Sequence, residues 1–475
     1  MSTEVMKKGT VVSGIEIVDI GAKGKVIGKK DGVTFMTKDA VPGDIVSIRI
    51  KKNKKNYKEG QMVSVDTPSP MRLEPKCEHF DHCGGCSWQN LDYAKQIAYK
   101  ESRVNQQITR IAHIDDYKAI PILGSEWIYE YRNKLEFTFI EKRWLTLDQL
   151  NDESVVKSPG LGFHVPGRFD WVMHIEKCHL EEPIHNDIRN FIYDRSMELG
   201  LTFYNPHSKE GALRNLVLRC NRNNEWMMLL IGWERTAEVD VLLQEVQAKF
   251  PVIQSLWFIQ NQKLNDSFSD CPAELITGAP HIIETFKRPT GEQVQYMIGP
   301  KSFFQTNPNQ AEKLYQIVYD WANLSDNPVV YDLYTGTGSI ALFVADKAQK
   351  VVGIEYVPEA IEDAKKNALL NSIDNCEFFA GDMKDILTTD FIAEHGAPDV
   401  LITDPPRAGM HADVVERILE TAPKRIVYVS CDPATQARDI ELLKAKYKLI
   451  QIQPVDMFPH TSHVENVALL ELQGE

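Results

Sequence analysis

Residues 329–339 read VVYDLYTGTGS, and this stretch limits what the chain can fold into more than any other. A short apolar run, too short for a buried helix, leads into a Gly-x-Gly turn and then into the helix-like run Ile340–Ala345. Gly336 and Gly338 let the backbone turn sharply and come close to a ligand. The rhythm then repeats, with a strand-like Val351–Glu355 and a helix-like Ala360–Leu370. Further strands are expected at Asp399–Thr403, Arg425–Ser430 and Val467–Leu470. Strands alternating with helices predict a doubly wound α/β domain, a Rossmann-like fold with a mostly parallel sheet.

Acids stand at the ends of these strands. About 20 residues after the glycine turn, VVGIE ends on Glu355, an acid placed to accept hydrogen bonds from a ribose diol. Asp382 in AGDM follows the expected third strand, and the fourth runs into Asp404-Pro405-Pro406-Arg407-Ala408-Gly409. Ligands of such sheets bind at the carboxyl ends of the strands, so Asp404 faces one. A dinucleotide fold uses a similar turn and acid, but Ala341 stands where its last glycine belongs. The D-x-x-x-G-x-G pattern centred on Asp332 resembles instead the first motif of S-adenosylmethionine-dependent methyltransferases.

The next strand ends at Ser430-Cys431-Asp432-Pro433, which puts Cys431 on the same rim. A strand-end cysteine is commonly a buried structural residue. A thiolate here also solves a chemical problem, because C5 of uracil is a poor nucleophile. Adding a thiolate to C6 produces an enolate that attacks an electrophilic methyl group. A base must then take the C5 proton so that the enzyme leaves by elimination. Glu465, in His463-Val464-Glu465 before the last strand, returns to the rim and is the candidate base, although taken alone it reads equally as a surface carboxylate.

Eight cysteines in 475 residues are too few for a disulfide scaffold, and three of them cluster. Cys77, Cys83 and Cys86 form C-x5-C-x2-C within CEHFDHCGGC, and Cys178 in EKCHL is the best fourth ligand by order and context. Zinc and an iron–sulfur cluster both accept four thiolates, so spacing alone leaves both open. The spacing departs from the C-x3-C-x2-C of radical S-adenosylmethionine enzymes, so radical chemistry is not indicated.

The net charge of −14 argues against a nucleic-acid partner until it is divided along the chain. Residues 1–60 hold 13 Lys and Arg against 7 Asp and Glu, a balance of +6 that leaves −20 on the other 415 residues. A small basic module on an acidic body meets a polyanion locally. From Val11 to Val65, short apolar runs alternate with Gly- and Pro-marked turns such as Gly21–Gly24 and predict a barrel of four or five strands. IRIKKNKKNYK at 48–58 sets basic residues and a Tyr beside one of them, as either a nucleic-acid edge or a solvated hairpin tip. Pro68, Pro70 and Pro75 mark a linker, and a helix is expected from Leu91 to about Ile111. The mixed region that follows holds strand-like runs at Leu135–Ile140, Leu213–Cys220, Trp226–Ile231 and Ser255–Ile259. The start MSTEVMKKGT lacks a signal-peptide core and no stretch reaches the roughly 18 apolar residues of a membrane span. A cytoplasmic protein is expected.

Taken together, these residues resemble the RNA uracil-C5 methyltransferase family over nearly the full chain, and most closely its 23S ribosomal RNA branch. The resemblance implies three domains: a TRAM-like RNA-binding β-barrel at 1–68, a central α+β domain at 69–300 with a metal cluster, and a methyltransferase domain at 301–475. It implies a [4Fe-4S] cluster on Cys77, Cys83, Cys86 and Cys178. S-adenosylmethionine contacts are implied at Gln305 in KSFFQTN and at Tyr334, Ser339, Glu355, Asp382 and Asp404. Cys431 is implied as the nucleophile and Glu465 as the proton-abstracting base. Ser339 stands where relatives often have Asn, and Thr335 where some have Cys. The implied enzyme is a cytoplasmic monomer acting on 23S rRNA, with the tRNA T-loop uridine as the alternative substrate. A non-catalytic RNA-binding protein is disfavoured by the presence of thiol, base and cofactor acids together, and an NAD-dependent oxidoreductase by the glycine pattern. The family fold inserts the central domain into the catalytic one, so residues near 91–120 are expected to pack on the catalytic sheet.

Overall fold

The computed structural model describes residues 7–21 and 24–474. Residues 1–6 of the expected first domain, and residues 22–23 inside the Gly21–Gly24 turn, lie outside the described residues. Contacts divide the chain into two compact units, Met1–Lys100 with Phe458–His463, and Glu101–Met457 with Val464–Glu475.

In the first unit, five strands close a barrel: β1 (Val11–Ile20), β2 (Val26–Lys30), β3 (Val33–Thr37), β4 (Ile45–Asn53) and β5 (Lys58–Thr67), in the order β1-β2-β3-β5-β4. Period-two alternation builds it: Val46, Ile48 and Ile50 of β4 are buried, while Arg49 and Lys51 between and beyond them face water. Ile15, Ile17, Val26 and Phe35 complete the core. The β4–β5 tip carries the exposed Lys51, Lys54 and Lys55. Asp44, fully buried, holds the barrel's exit together: it accepts from Val41 N (2.7 Å) and Ser69 N (2.8 Å) and pairs with Arg72 (2.6 Å). Trp88 and Leu91 pack with Val41 in a small second core.

A helix runs over Tyr93–Gln107 and ends in a π turn at Ile108–Ala112. Val104, Ile108 and Ala112 join the apolar core of the large parallel sheet described below. β6 (Lys118–Ala119) adds to the far edge of that sheet, parallel to Gln451–Ile452.

The second unit contains a seven-stranded sheet of β7 (Lys134–Ile140), β8 (Gly160–His164), β9 (Val172–His174), β10 (Leu213–Cys220), β11 (Trp226–Gly232), β12 (Ile253–Gln260) and β13 (Ala273–Gly278). Its order is β13-β12-β11-β10-β7-β8-β9. A hairpin, β14 (Ile282–Lys287) with β15 (Gln293–Ile298), follows. An eight-stranded sheet, the C-terminal sheet, comprises β16 (Val329–Leu333), β17 (Lys350–Glu355), β18 (Cys376–Ala380), β19 (Val400–Thr403), β20 (Arg425–Ser430), β21 (Tyr447–Val455) and β22 (Glu465–Leu472), together with β6. Its order is β18-β17-β16-β19-β20-β22-β21-β6. β16 to β20 are mutually parallel; β16, β17, β19 and β20 read as near-continuous apolar runs, as strands buried on both faces do, whereas β18 at the edge is only partly buried. β22 runs antiparallel between β20 and β21. The strand order reverses between β16 and β19, which opens a crevice at their carboxyl ends.

Candidate functional site

The glycine turn after β16 has the unusual backbone its sequence requires. Tyr334, Gly336 and Gly338 all have positive φ (62°, 56° and 77°). A Cβ on Gly336 would meet nothing within 4 Å, so this peptide faces open space at the crevice. Asp332 anchors the turn from below, its Oδ2 accepting from Thr335 Oγ1 (2.5 Å) and Ala341 N (3.0 Å). Its Oδ1 is buried without a hydrogen-bond partner among the described residues, and burial pushes the carboxyl up to about 7 against those two bonds. Glu355, at the end of β17, accepts from Gly336 N (3.2 Å) and Val357 N (3.0 Å), which ties the second acid to the turn. Two bonds leave a carboxylate with further acceptor capacity. Asp382, after β18, accepts from Lys384 N (3.2 Å) and caps the short helix Met383–Ile386.

Ser339 opens the helix Ser339–Val344 and is held by two buried tyrosines: Tyr315 OH meets its Oγ (2.8 Å) and Tyr296 OH donates to its carbonyl (3.0 Å). Gln305 precedes the helix Pro308–Ala322, whose cap Asn307 donates from Nδ2 to Met457 O (3.0 Å). Asn133 Nδ2 donates to Gln305 O (3.2 Å). Sequence reasoning did not find Tyr296, Tyr315 or Asn133, since a tyrosine on an amphipathic helix beside Leu314 and Val318 carries no mark separating it from core.

Asp404 follows β19, and its N–H reaches back to Leu333 O (3.4 Å) across the point where the strand order reverses. The turn beyond it is tied to the helix Pro433–Leu443: Thr435 Oγ1 donates to Arg407 O (3.2 Å), and Met410 N to Asp439 Oδ2 (2.8 Å). Cys431 and Glu465 are brought close at the end of one ladder. Ser430 pairs with Asn466 at the last step of the antiparallel β20–β22 ladder; Cys431 directly follows Ser430, Glu465 directly precedes Asn466, and the charge of Glu465 acts on the Cys431 thiol. Gln436 Nε2 donates to Tyr428 O (2.8 Å) and Asn466 O (3.1 Å), and Asn466 Nδ2 returns to Gln436 Oε1 (2.7 Å), locking this register from the helix side.

The electrostatics follow from this crowding. Burial pushes the Cys431 thiol up to about 11, and the carboxylates of Glu465 and Asp404 add to the shift while Arg407 opposes it. Glu465, only 6% exposed, is raised by burial first and by Asp404 second, with Arg407 again opposing. Asp404 is raised by burial and by Asp332. The rim therefore gathers a thiol and a file of buried carboxyl groups at one edge of an open crevice, an arrangement suited to nucleophilic addition followed by proton transfer.

The four remaining cysteines of interest divide between the units. Cys77, Cys83 and Cys86 lie on a turn-rich loop in the first, where Cys83 N donates to His79 O (2.8 Å) and Gly85 N to Cys83 Sγ (3.4 Å). Cys178 is buried in the second, exchanging hydrogen bonds with Asn186 (2.8 and 3.1 Å). Among the described residues, no group of three or more His, Cys, Asp or Glu side chains is gathered to hold a metal ion. No helix is long and apolar enough to cross a membrane among them.

The model of the tRNA (uracil-5-)-methyltransferase family matches residues 275–473. A protein of Bacteroides thetaiotaomicron named as an RNA methyltransferase is 50% identical over 459 residues, covering 96% of this chain and all of its own. One of Porphyromonas gingivalis is 47% identical over 465 residues, covering 96% and 99%. Among solved structures, Pyrococcus abyssi tRNA (uracil-54, C5)-methyltransferase in complex with S-adenosyl-L-homocysteine aligns with a TM-score of 0.74 and 26% identity. That alignment covers 97% of this chain and 100% of the other.

Proposed function

The chain belongs to the RNA uracil-C5 methyltransferase family of S-adenosylmethionine-dependent enzymes, and from that premise we propose that it methylates C5 of a uridine in 23S rRNA through a covalent bond between Cys431 and C6. The observation that carries the proposal is that Cys431, at the end of β20, feels the charges of both Glu465 and Asp404. The Cys431 sulfur, having lost its proton to water, bonds to C6 and pushes the ring electrons onto C5 and O4. The C5 carbon takes the methyl group, and S-adenosylhomocysteine departs with the sulfonium electron pair. The Glu465 carboxylate then takes the C5 proton, the C5=C6 bond re-forms, and the C6–S bond breaks to return the thiolate.

The residues fit the methyl donor. Gly336 leaves room for it, Glu355 is the acid for the ribose diol and Asp382 for the adenine end, while Tyr334, Ser339, Gln305 and Asp404 line the remaining approach. Asp404 also helps to hold the uracil. The barrel serves as a TRAM-like RNA-binding module of residues 1–68, followed by a central domain at 69–300 and a catalytic domain at 301–475, working as a cytoplasmic monomer. A uracil in folded RNA must leave its stack, at about a few kcal/mol, and basic residues of the barrel offset that by holding phosphates.

A [4Fe-4S] cluster on Cys77, Cys83, Cys86 and Cys178 is part of the same proposal. An all-thiol donor set and an N–H donated to Cys83 Sγ suit thiolate-bound iron, although the described residues do not gather a complete site, and no step above runs through it. Bound, it would supply a crosslink and a store of charge. Anaerobic purification with iron and sulfide assay checks it: about four of each per chain supports the cluster, and stoichiometric zinc without visible charge-transfer absorption refutes it.

The likeness to the archaeal tRNA (uracil-54, C5)-methyltransferase over its whole length favours a second reading, a tRNA uridine as substrate. Transfer of labelled methyl to separated rRNA and tRNA lacking their own C5 methylation, by wild type and Cys431→Ala, decides. Label in 23S rRNA as 5-methyluridine, lost in the variant, supports the first reading. Label in tRNA moves the substrate, and full activity of Cys431→Ala removes the covalent step.

A further inference from the structure

We propose that Arg103, on the helix Tyr93–Gln107, is a positioning residue for Cys431: it draws the carboxylate of Asp432, the next residue after Cys431 in the chain, towards the helix and away from the thiol. The inference rests on the reading of Cys431 as the nucleophile.

Arg103, Cys431 and Asp432 all belong to the second unit, which takes in the helix from Glu101 onwards. There the end of that helix and its π turn pack along the helix Pro433–Leu443. At the far end, Lys444 Nζ donates to Ala112 O (3.0 Å). In the middle, Val104 and Ile108 share one buried core with Ala437, Ile440 and Leu443. Both segments run the same way, so the residue before Val104 comes level with the start of the second helix, at Asp432. Burial pushes the half-buried Arg103 down, and the charge of Asp432 opposes that shift. The two opposite charges therefore attract across the join between the helices.

Asp432 in turn governs the surroundings of Cys431. Its N–H donates to Ser430 Oγ (3.2 Å) and Ser430 Oγ donates to its carbonyl (3.2 Å), so the residues on either side of Cys431 are clasped together. Its Oδ1 accepts from Ala434 N (3.0 Å) and caps the helix. That bond fixes one oxygen, and the pull of Arg103 decides how near the rest of the carboxylate comes to the thiol. The charged groups facing Cys431 are Glu465 of β22, Asp404 and Arg407 of the turn after β19, and Asp432. Three carboxyl groups stand there against one cation, and each carboxylate disfavours the thiolate that must attack C6. Asp432 is the nearest of them in the chain, yet its charge acts on the thiol less than those of Glu465, Asp404 and Arg407. A carboxylate held off by a second cation behaves in this way.

A guanidinium kept only for packing would matter to folding and leave the ionisation of a neighbouring thiol alone. The test follows alkylation of Cys431 by iodoacetamide between about pH 7 and pH 10 in the full-length enzyme, read on the Cys431 peptide by mass spectrometry, beside single-turnover formation of the labelled protein–RNA adduct. It compares wild type, Arg103→Met, Arg103→Lys, Asp432→Asn, the double variant Arg103→Met with Asp432→Asn, and Cys431→Ala, with binding of S-adenosylhomocysteine as the check on folding. A thiol below its pKa reacts in proportion to its thiolate fraction, which changes about tenfold per pH unit. We expect Arg103→Met to slow both reactions about threefold to tenfold at pH 8, a shift of the alkylation profile by about half to one pH unit, while Arg103→Lys keeps the wild-type profile. Asn still caps a helix, and in the Asp432→Asn background Arg103→Met should shift nothing further. A wild-type profile in Arg103→Met overturns the proposal. An equal shift in both backgrounds overturns it too, since Arg103 would then act by another route, and so does a shift in Arg103→Lys as large as that in Arg103→Met. Full methyl transfer by Cys431→Ala makes the nucleophile assignment itself fail, an outcome read without any Arg103 variant. Should Arg103→Met not fold, Arg103→Gln takes its place under the same criteria.

Discussion

The two glycines of the turn after β16 are a matched pair whose roles separate under one substitution. Both have positive φ, +56° at Gly336 and +77° at Gly338, and an alanine at either position meets the left-handed penalty of about 1–2 kcal/mol. Their surroundings differ. A Cβ on Gly338 would stand 3.0 Å from both Ala364 Cβ and Phe378 Cζ, buried groups from a helix and a neighbouring strand that have nowhere to go. Overpacking of this kind adds about 1–3 kcal/mol. Gly338→Ala is therefore expected to cost about 2–5 kcal/mol of stability. On Gly336 the added methyl meets no protein atom within 4 Å, so Gly336→Ala is expected to cost only the backbone penalty, about 1–2 kcal/mol. That methyl instead enters the space from which the backbone approaches the methyl donor, and affinity for S-adenosylhomocysteine should fall by about tenfold or more, 1.4 kcal/mol. Urea unfolding and calorimetric titration of the two variants measure both quantities. Equal destabilisation of the two, or wild-type affinity in Gly336→Ala, refutes the reasoning.

With the Cys431 thiol pushed up to about 11, about one molecule in 10^4 carries the thiolate at pH 7. Single-turnover adduct formation should accordingly rise steeply from pH 7 to 9; a flat profile removes thiol ionisation from control of the rate. Burial raises Glu465 in the folded chain, so the folded state holds that proton more tightly than the unfolded one, and stability from this group falls as pH climbs above the ordinary carboxyl value. Glu465→Gln should thus gain stability over wild type, on the order of 1–3 kcal/mol at pH 8, with the gain shrinking towards pH 5 in urea titrations. Replacing the exposed Lys51, Lys54 and Lys55 by Gln should weaken RNA binding and flatten its dependence on salt by about 0.7 in log–log slope for each phosphate no longer neutralised. An unchanged slope would make the barrel tip a solvated hairpin and no more.

The catalytic sheet was legible because its information is local. β16, β17, β19 and β20 are mainly apolar runs, and the observed strands begin and end within one or two residues of those expected. Strand ends in such a fold share one rim, so Glu355, Asp382, Asp404 and Cys431 could be put on it without knowing the strand order. The seven-stranded sheet was not legible in that way. All eight residues of β10 are buried, including Arg214, Asn215 and Arg219, which breaks the alternation that marks a half-buried strand. Arg214 is accommodated by carbonyls of Asn261 (2.9 Å) and Asn265 (2.9 Å), partners some 50 residues away that no local pattern announces. The mixed pairing, with β11 antiparallel to β10 and parallel to β12, is likewise a product of long-range packing.

The site itself shows the same division at the scale of single residues. Cys431 was readable as a rim residue from the end of its own strand, and Glu465 from the start of β22, but their closeness was not. It depends on the end of the β20–β22 ladder, which a buried amide fixes from outside. Gln436 ties Asn466, one residue past Glu465, to the carbonyl of Tyr428. In the first unit, Gln96 likewise holds His460 from 364 residues away along the chain. Glutamines on helix faces carry no sequence mark, because a solvated glutamine and a buried one satisfy the same local propensities. What separates them is whether backbone groups from elsewhere need the amide's donors and acceptor, and both Gln96 and Gln436 are fully buried with carbonyls waiting for their Nε2. The chemistry of this family can therefore be read from strand ends, whereas the alignment that makes the chemistry run is held by residues whose importance appears only in three dimensions.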